Sequence, residues 1–238
     1  MVTTDNGELP TDDNNLIYKA ARLMKEKYHI TEGVSIHLEK NIPIAAGMAG
    51  GSTDAAGTFL GMNELFEIGA SKQELQELGV KVGADVPYCI MGGTALAEGI
   101  GEILSPLPAP PQCILVVAKP DINVSTKYVY EHLDAEGVDK HPDIDGMIEA
   151  LKSGELQGIV SRLGNVLETV TVKKHTIINT IKQCMLEQGA QGSLMSGSGP
   201  TVFGIFTDVD KAEKAKAEIE KKQLAKQVFV TEFYNGND

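Results

Sequence analysis

The first stretch of this sequence whose residue types could do chemistry is rich in glycine and alanine. Residues 42–57, IPIAAGMAGGSTDAAG, contain four glycines and five alanines, and an apolar pattern at helical spacing follows them. Glycine loses more backbone entropy on folding than any other residue, so such a cluster needs a reason. One reason is a loop whose N–H groups approach an anion at a helix N-terminus, with Ser52 and Thr53 as helix caps. The other is a packing loop in which small residues let two elements touch, and glycine content alone leaves both interpretations open.

A rigid carboxylate and a second glycine-rich turn are the other candidates for chemistry. In GADVPYCI, Asp85 stands between Gly83 and Pro87, and the proline ring restricts the backbone there. A carboxylate held rigidly suits a general base, although a lone aspartate in a loop is more often an Asx-turn or a helix cap. In LMSGSGPTVFGIF, residues 196–200 form a tight turn that either connects a helix to a strand or borders a ligand cleft.

Spacing excludes several other kinds of site. The glycine-rich loop lacks the Gly-Lys-Ser/Thr ending of a Walker A motif and the glycine spacing of a dinucleotide-binding fingerprint. The three cysteines, Cys89, Cys113 and Cys184, are far apart and form no CxxC pair or Cys/His cluster, so neither zinc nor a disulfide framework is indicated. None of the five histidines accompanies a nucleophile motif such as GxSxG. We therefore assign no residue as a metal ligand.

Composition and charge indicate an acidic globular protein. The 238 residues are 42% hydrophobic and 23% charged, which is ordinary for such a protein, and the formal net charge is −12. This charge argues against general nucleic-acid binding and against a basic membrane surface. There is no long uncharged apolar run, and the start, MVTTDNGELPTDDNN, resembles neither a secretory signal nor a transit peptide. We expect a cytoplasmic protein that acts on a small molecule, without nucleic-acid or membrane partners, as a monomer or weak homodimer.

Periodicity and capping signals predict the elements that position the first two candidates. Apolar spacing predicts helices over residues 14–28 and 53–66. Residues 33–40, GVSIHLEK, alternate between apolar and polar as a half-buried strand does. Ser71, followed three residues later by a glutamate, forms a capping box that starts another helix. From residue 83 onward the pattern predicts a loop and then short strands punctuated by glycines.

The second half of the chain begins after a proline-rich segment. PLPAPP, residues 106–111, is unfit for a helix interior or a central strand, so it joins the two halves. The patterns that follow it are a buried strand at 114–118, helices near 126–133, 146–151, 156–163 and 174–187, the strand TVFGIF, the helix DVDKAEKAKAEIEKKQ and the strand QVFVTEF. This mixture predicts an α+β fold with hairpins, divided into domains of residues 1–108 and 109–238.

Taken in order, the glycine-rich segments resemble a known family. AGMAGGSTDAA, GADVP and MSGSGPTVFGIF are similar to motifs of the small-molecule kinases named after galactokinase, homoserine kinase, mevalonate kinase and phosphomevalonate kinase. Together with DDNNLIYKAA, KPDIN and VSTKYVY, they most resemble the 4-diphosphocytidyl-2-C-methyl-D-erythritol kinases of non-mevalonate isoprenoid biosynthesis. The resemblance runs from Asn14 to Phe233. It implies a two-domain kinase fold, with a ribosomal-protein-S5-like, ATP-binding N-terminal half and a ferredoxin-like C-terminal half.

The resemblance also implies roles for individual residues. Asp85 would be the catalytic base, and Asn15 and Lys40 would line the adenosine pocket. Thr126 and the turn of Ser196, Gly197, Ser198 and Gly199 would border the acceptor cleft. The loop that binds the phosphates of ATP, called the phosphate loop below, would consist of Pro43, Ile44, Ala45, Ala46, Gly47, Met48, Ala49, Gly50, Gly51, Ser52 and Thr53. With ATP and Mg²⁺, the enzyme would phosphorylate the 2-hydroxyl of 4-diphosphocytidyl-2-C-methyl-D-erythritol.

The sequence departs from the family's pattern at its start. The family begins with a strand carrying a PAKINL-like motif, whose lysine pairs with the catalytic aspartate, and a GYH segment that grips the cytosine. Neither motif occurs in these 238 residues, and the first lysine, Lys19, lies inside a predicted helix. We therefore expect the N-terminal domain to lack its first strands and the activity to be reduced by orders of magnitude or lost.

Two further functions stay open beside this one. The chain is alternatively a non-catalytic nucleotide-binding remnant, or a sister kinase that acts on homoserine or a mevalonate derivative. AGGSTDAA argues against a homoserine kinase. Turnover measurements with different acceptors separate these possibilities.

Overall fold

Backbone contacts divide the chain into two compact units. The computed structural model describes residues 1–134, 137 and 141–234. Among these, the first unit comprises residues 1–44 and 49–106, and the second comprises residues 45–48 and everything from Leu107 onward. The predicted domain boundary after residue 108 stays a prediction.

The first unit is mainly helical. Its strands pair as two small sheets, β1 in parallel with β2, and β3 with β4. Within the described ranges, its elements are β1 (Val2–Thr4), α1 (Leu16–Tyr28), β2 (Ile36–Leu38), α2 (Gly50–Leu65), α3 (Lys72–Gly79), α4 (Val86–Met91), β3 (Thr94–Glu98) and β4 (Ile103–Leu107).

Side-chain caps and a shared core hold these helices. Ser71 Oγ accepts a hydrogen bond from the N–H of Glu74, and the Glu74 carboxylate accepts one from the N–H of Ser71, which confirms the predicted capping box. The backbone hydrogen bond from Ser71 lowers the pKa of Glu74. Phe59 of α2 is fully buried in the same cluster as Met24 of α1 and Val86 of α4. Burying a phenylalanine side chain contributes about 1.5–3 kcal/mol.

The second unit is built on a four-stranded sheet in the order β6-β7-β5-β8, in which all neighbours are antiparallel. Within the described ranges, its elements are β5 (Ile114–Lys119), α5 (Thr126–Glu131), α6 (Ile144–Ser153), α7 (Leu156–Val160), α8 (Glu168–Lys174), α9 (Ile177–Glu187), β6 (Gly192–Met195), β7 (Val202–Phe206), α10 (Val209–Lys221) and β8 (Gln227–Glu232).

The apolar run ILVVA forms the central strand β5, as predicted. Val116 and Ala118 are fully buried in the main core, which includes residues of α9 and α10. Leu115 points the other way, because side chains alternate along a strand, and belongs to a separate cluster that also contacts α7. A strand covered on both faces can be apolar throughout, and this explains why the run does not alternate.

Four short elements differ from the expectation. The strand β1 forms at the polar start of the chain, where no strand was predicted. Residues 86–91 form the helix α4 rather than a loop, β6 precedes the turn at 196–200, and α8 fills a gap between predicted helices. The helix α4 spans six residues and carries Pro87 in its first turn. Proline is tolerated there, because an N–H in the first turn of a helix has no intrahelical acceptor. Six residues are too few for a helical period to show in the sequence.

The helices contain no candidate for a bilayer span. In the part of the chain that the structure describes, none combines enough length with enough apolar character to cross a membrane.

Candidate active site

The N-terminus of α2 lies in the first unit and has no side-chain cap. The helix begins at Gly50, not at Thr53 as predicted, and its N-cap residue is Ala49, with φ +50°. Thr53 therefore lies in the first turn, and its hydroxyl donates to the carbonyl of Ala49 at 3.1 Å. The first N–H groups of a helix have no intrahelical acceptors and carry the positive end of its dipole. This uncapped end is suited to an anion.

A buried ion pair ties the segment after β2 to the same turn. Lys40 Nζ lies 2.7 Å from Asp54 Oδ2, and the two side chains are only 4% and 15% exposed. A Cβ atom at Gly50 would lie 3.1 Å from this Nζ and 2.7 Å from Ile42 Cγ2. Gly50 is thus needed where the helix packs on this segment. The ammonium of Lys40 is already engaged, and its predicted contact with adenosine stays a prediction.

Replacing Lys40 by methionine is expected to destabilise the fold by about 3–5 kcal/mol, because Asp54 would keep a buried charge without its partner. The free energy of unfolding from urea denaturation measures this effect. Lys152 is the matched control, since its pair with Glu149 is 55% and 72% exposed. Replacing Lys152 by methionine is expected to cost less than about 1 kcal/mol. Equal losses in the two variants would contradict the importance of the Lys40–Asp54 pair.

Asp85 occupies the N-cap position of α4, yet its carboxylate makes no capping hydrogen bond. The side chain of an N-cap residue usually accepts from the N–H of the second or third helical residue, and the second residue here is Pro87, which has none. The interpretation of Asp85 as a helix cap is therefore wrong. The residue is exposed, and its backbone is held because its carbonyl accepts from the N–H of Cys89 at 3.1 Å.

The helix that Asp85 precedes, α4, contacts the first turn of α2. Cys89 is one helical turn after Asp85 and shares its face of α4. The hydroxyl of Thr53 lies 3.6 Å from Cys89 Sγ. Burial is the main reason that the pKa of the Cys89 thiol is raised. The contact with Thr53 lowers this pKa, and the negative charges of Asp85 and Asp54 raise it. The first turn of α2 thus contacts, through Thr53, a thiol that lies one helical turn after Asp85 and stays neutral near pH 7.

The side chain of Asn15 has a structural role. Its side chain is buried, with Oδ1 accepting from the N–H of Ile17 at 2.9 Å and Nδ2 donating to the carbonyl of Pro10 at 2.7 Å. These bonds cap α1 and fix the segment before it. The predicted place of Asn15 in the adenosine pocket stays a prediction.

In the second unit, residues 45–48 of the phosphate loop contact the turn at 196–199. Ser196 Oγ donates to the carbonyl of Gly47 at 2.7 Å. Gly47 has φ +70°, and a Cβ atom there would lie 2.4 Å from the carbonyl oxygen of Ser196 and 2.9 Å from that of Gly199. Of the two explanations left open for the glycines, close packing of backbone on backbone therefore accounts for Gly47.

The same turn also holds Thr126. The hydroxyls of Thr126 and Ser198 lie 2.9 Å apart, and the buried hydroxyl of Thr171 donates to the carbonyl of Ser198 at 3.1 Å. The structure thus brings together the two features predicted to border the acceptor. It adds Thr171, which the sequence did not identify.

Asn165 and Glu168 are also residues that sequence reasoning missed. Asn165 Nδ2 donates to the carbonyls of Met195 and Gly197, each at 2.8 Å. Glu168 accepts from the N–H of Met195 at 2.8 Å and forms a half-buried ion pair with Lys182 at 2.6 Å. Asn165, Glu168 and Thr171 are spaced three residues apart, and this spacing is the feature of the sequence that could have pointed to them.

Comparison with known protein families supports the resemblance seen in the sequence. The family described as GHMP kinases N terminal domain matches residues 15–93, and GHMP kinases C terminal matches residues 140–226. A relative from Lachnospira eligens, named 4-diphosphocytidyl-2-C-methyl-D-erythritol kinase, is 53% identical over 98% of this chain and 81% of its own length. A relative of the same name from Caldicellulosiruptor bescii is 47% identical over 100% of this chain and 82% of its own.

Solved structures agree with this assignment. The crystal structure of a 4-(cytidine 5'-diphospho)-2C-methyl-D-erythritol kinase matches with a TM-score of 0.82 and 31% identity, covering 99% of this chain and 83% of that one. A homoserine kinase from Cytophaga hutchinsonii matches with a TM-score of 0.80 over 98% of this chain and 80% of that one, but at 21% identity it supports the fold alone. The α+β two-domain kinase fold predicted above is thereby confirmed. The chain belongs to the 4-diphosphocytidyl-2-C-methyl-D-erythritol kinase family of the GHMP kinases and is an ATP-dependent small-molecule kinase.

Proposed function

We propose that this enzyme transfers the γ-phosphoryl group of ATP to the 2-hydroxyl of 4-diphosphocytidyl-2-C-methyl-D-erythritol. Relatives that carry the name of this activity are 47–53% identical to the chain. The structural observation that supports the proposal most is in the first unit. There, the uncapped N-terminus of α2 contacts α4 through Thr53 and Cys89, and Cys89 lies one helical turn after Asp85, an aspartate with no capping bond.

The N-terminus of α2 is the proposed site for the phosphates of ATP. Its first N–H groups lack side-chain acceptors, and the helix is 16 residues long, so its dipole is well developed. In this proposal the phosphate loop contributes backbone N–H groups, and Lys40 and Asn15 lie beside the adenosine. Phosphoryl transfer depends mainly on positioning and on neutralising charge, and backbone N–H groups contribute to both.

Mg²⁺ is the proposed metal, bound together with ATP. Among the described residues, no three His, Cys, Asp or Glu side chains are grouped to hold an ion, and Asp54 is paired with Lys40. Mg²⁺ takes many of its ligands from phosphate oxygens and water, so the proposal does not require such a group of side chains. Ser52 is the proposed protein oxygen closest to it. When bound, the ion neutralises charge on the phosphates.

Asp85 is the proposed general base. Because no capping bond engages its carboxylate, that group is free to accept the proton of the attacking hydroxyl. Thr126 and the 196–199 turn are the proposed border of the acceptor site. The Thr126–Ser198 hydrogen bond orients the two hydroxyls relative to each other.

A turnover assay with several acceptors tests the proposed function. We expect ADP release that depends on Mg²⁺ and on 4-diphosphocytidyl-2-C-methyl-D-erythritol, and a new phosphomonoester signal by ³¹P NMR. Homoserine and mevalonate are the control acceptors, and we expect no turnover with either. Faster turnover with a control acceptor would assign the chain to a sister activity. Calorimetric binding of an ATP analogue without turnover on any acceptor would indicate a nucleotide-binding protein without catalysis.

A further inference from the structure

Three polar side chains spaced three residues apart support the 196–199 turn. Asn165, Glu168 and Thr171, called the turn support below, bond to the carbonyl of Met195, the N–H of Met195, and the carbonyls of Gly197 and Ser198. Glu168 and Thr171 lie three residues apart in α8 and share one of its faces, and Asn165 lies in the segment just before this helix. Four backbone groups on and beside one short turn are therefore held by a single surface.

The turn support is itself well fixed. Asn165 Oδ1 accepts from the N–H of Leu167 at 2.9 Å, so the amide orientation is determined by bonds at both ends. Glu168 is held by both of its contacts with Lys182, at 2.6 and 2.9 Å. Thr171 is 2% exposed. Buried polar groups with all partners in place rigidify the structure around them.

The rigid turn has a direct contact with the phosphate loop. Ser196 donates to the carbonyl of Gly47, and the backbone of Gly47 lies against the carbonyls of Ser196 and Gly199. The loop needs such support because Ala45, Gly47 and Ala49 all have positive φ angles, of 50°, 70° and 50°. Alanine rarely adopts this conformation, and it persists only where neighbouring groups determine it.

We propose that Asn165 and Ser196 are positioning residues for the nucleotide, with Asn165 fixing the turn and Ser196 transmitting its geometry to residue 47 of the phosphate loop. The proposal rests on the assignment of residues 43–53 to ATP binding. It gives the two serines of the turn different tasks. Ser196 serves the phosphate loop, whereas Ser198 bonds to Thr126 and serves the proposed acceptor side.

The two serines form a matched pair for kinetic tests. Ser196→Ala is expected to raise the KM for ATP and the Kd of an ATP analogue about 3- to 10-fold, the effect of one lost hydrogen bond, with little change in the KM for the acceptor. Ser198→Ala is expected to raise the KM for the acceptor and to leave the KM for ATP unchanged. Ser196→Thr keeps the hydroxyl and is expected to restore most of the ATP affinity. Asn165→Ala is expected to behave like Ser196→Ala.

Hydrogen–deuterium exchange decides the inference without reference to catalysis. In the protein without nucleotide, peptides that cover residues 45–48 are expected to exchange faster in Ser196→Ala and in Asn165→Ala than in the wild type. Ser198→Ala is expected to leave them unchanged. If wild-type protein phosphorylates no acceptor, the proposed function fails, and the exchange data still decide the inference. Unchanged exchange at residues 45–48 in Ser196→Ala, or equal losses of ATP and acceptor affinity, would overturn it.

Discussion

Replacing Asp85 by asparagine is expected to lower kcat by about 10²–10⁴-fold, the range that general-base catalysis contributes. Asparagine has the same shape as aspartate, and the carboxylate of Asp85 makes no capping bond that the change could break, so α4 is expected to remain folded. The change removes only the ability to accept a proton. Because the phosphates are proposed to bind at the N-terminus of α2, the KM for ATP is expected to change little. Steady-state kinetics with both substrates measure the two quantities.

A second N-cap aspartate is the control for this substitution. Asp208 caps α10 and accepts from the N–H groups of Asp210 and Lys211, at 2.9 and 3.2 Å. It lies outside the proposed active site, and Asp208→Asn is expected to leave kcat unchanged. The free energies of unfolding of both variants are expected to stay close to that of the wild type. A kcat for Asp85→Asn within about threefold of the wild-type value is incompatible with Asp85 as the base.

Local signals in the sequence predicted the elements whose formation depends on residues that are close together in the chain. The capping box at Ser71 involves residues three positions apart, and the structure contains both of its hydrogen bonds. The run at 114–118 predicted a buried strand because only a strand covered on both faces can be so uniformly apolar. α4 was missed, because a six-residue helix that begins with Val-Pro has neither a visible period nor a side-chain cap.

The candidate site was predictable in its chemistry but not in its supporting contacts. Asp85 was predicted as the base from its rigid surroundings and from the resemblance, and this role stays a prediction. Asn165, Glu168 and Thr171 were not identified, because their partners at 195–198 lie about thirty residues further along the chain. A single sequence records no such pairing. Spacing at three residues predicts a shared helical face but not what the face contacts.

The glycines of the phosphate loop illustrate the same limit. Their number indicated that the cluster needs a reason, either anion binding or close packing, and one glycine of the loop, Gly47, has a positive φ angle. The reason differs between positions, however. Gly50 avoids a contact with the Ile42 side chain, whereas Gly47 avoids contacts with two backbone carbonyls. A side chain can move aside more easily than a supported turn, so a Cβ atom is less tolerable at residue 47 than at residue 50.

Gly47→Ala is accordingly expected to weaken binding of an ATP analogue by about 100-fold, equivalent to roughly 2.7 kcal/mol, and to lower the free energy of unfolding by about 1–3 kcal/mol. The φ angle of +70° is not the main cause, because Ala45 and Ala49 adopt a similar conformation in the same loop. The cause is the Cβ atom, which would lie 2.4 Å from the carbonyl oxygen of Ser196. To relieve this contact, residue 47 must move away from the turn, and the loop then loses its conformation.

The substitution Gly154→Ala separates the effect of the positive φ angle from the effect of the Cβ contact. Gly154 ends α6 in the same unit with φ +69°, and a Cβ atom there would meet nothing within 4 Å. This control carries the conformational cost of alanine at positive φ, about 1–2 kcal/mol, without a steric contact. It is expected to bind the ATP analogue as the wild type does. Calorimetric titration of both variants provides the comparison. Nucleotide binding of Gly47→Ala that equals that of Gly154→Ala would show that the contact with the turn does not position the phosphate loop.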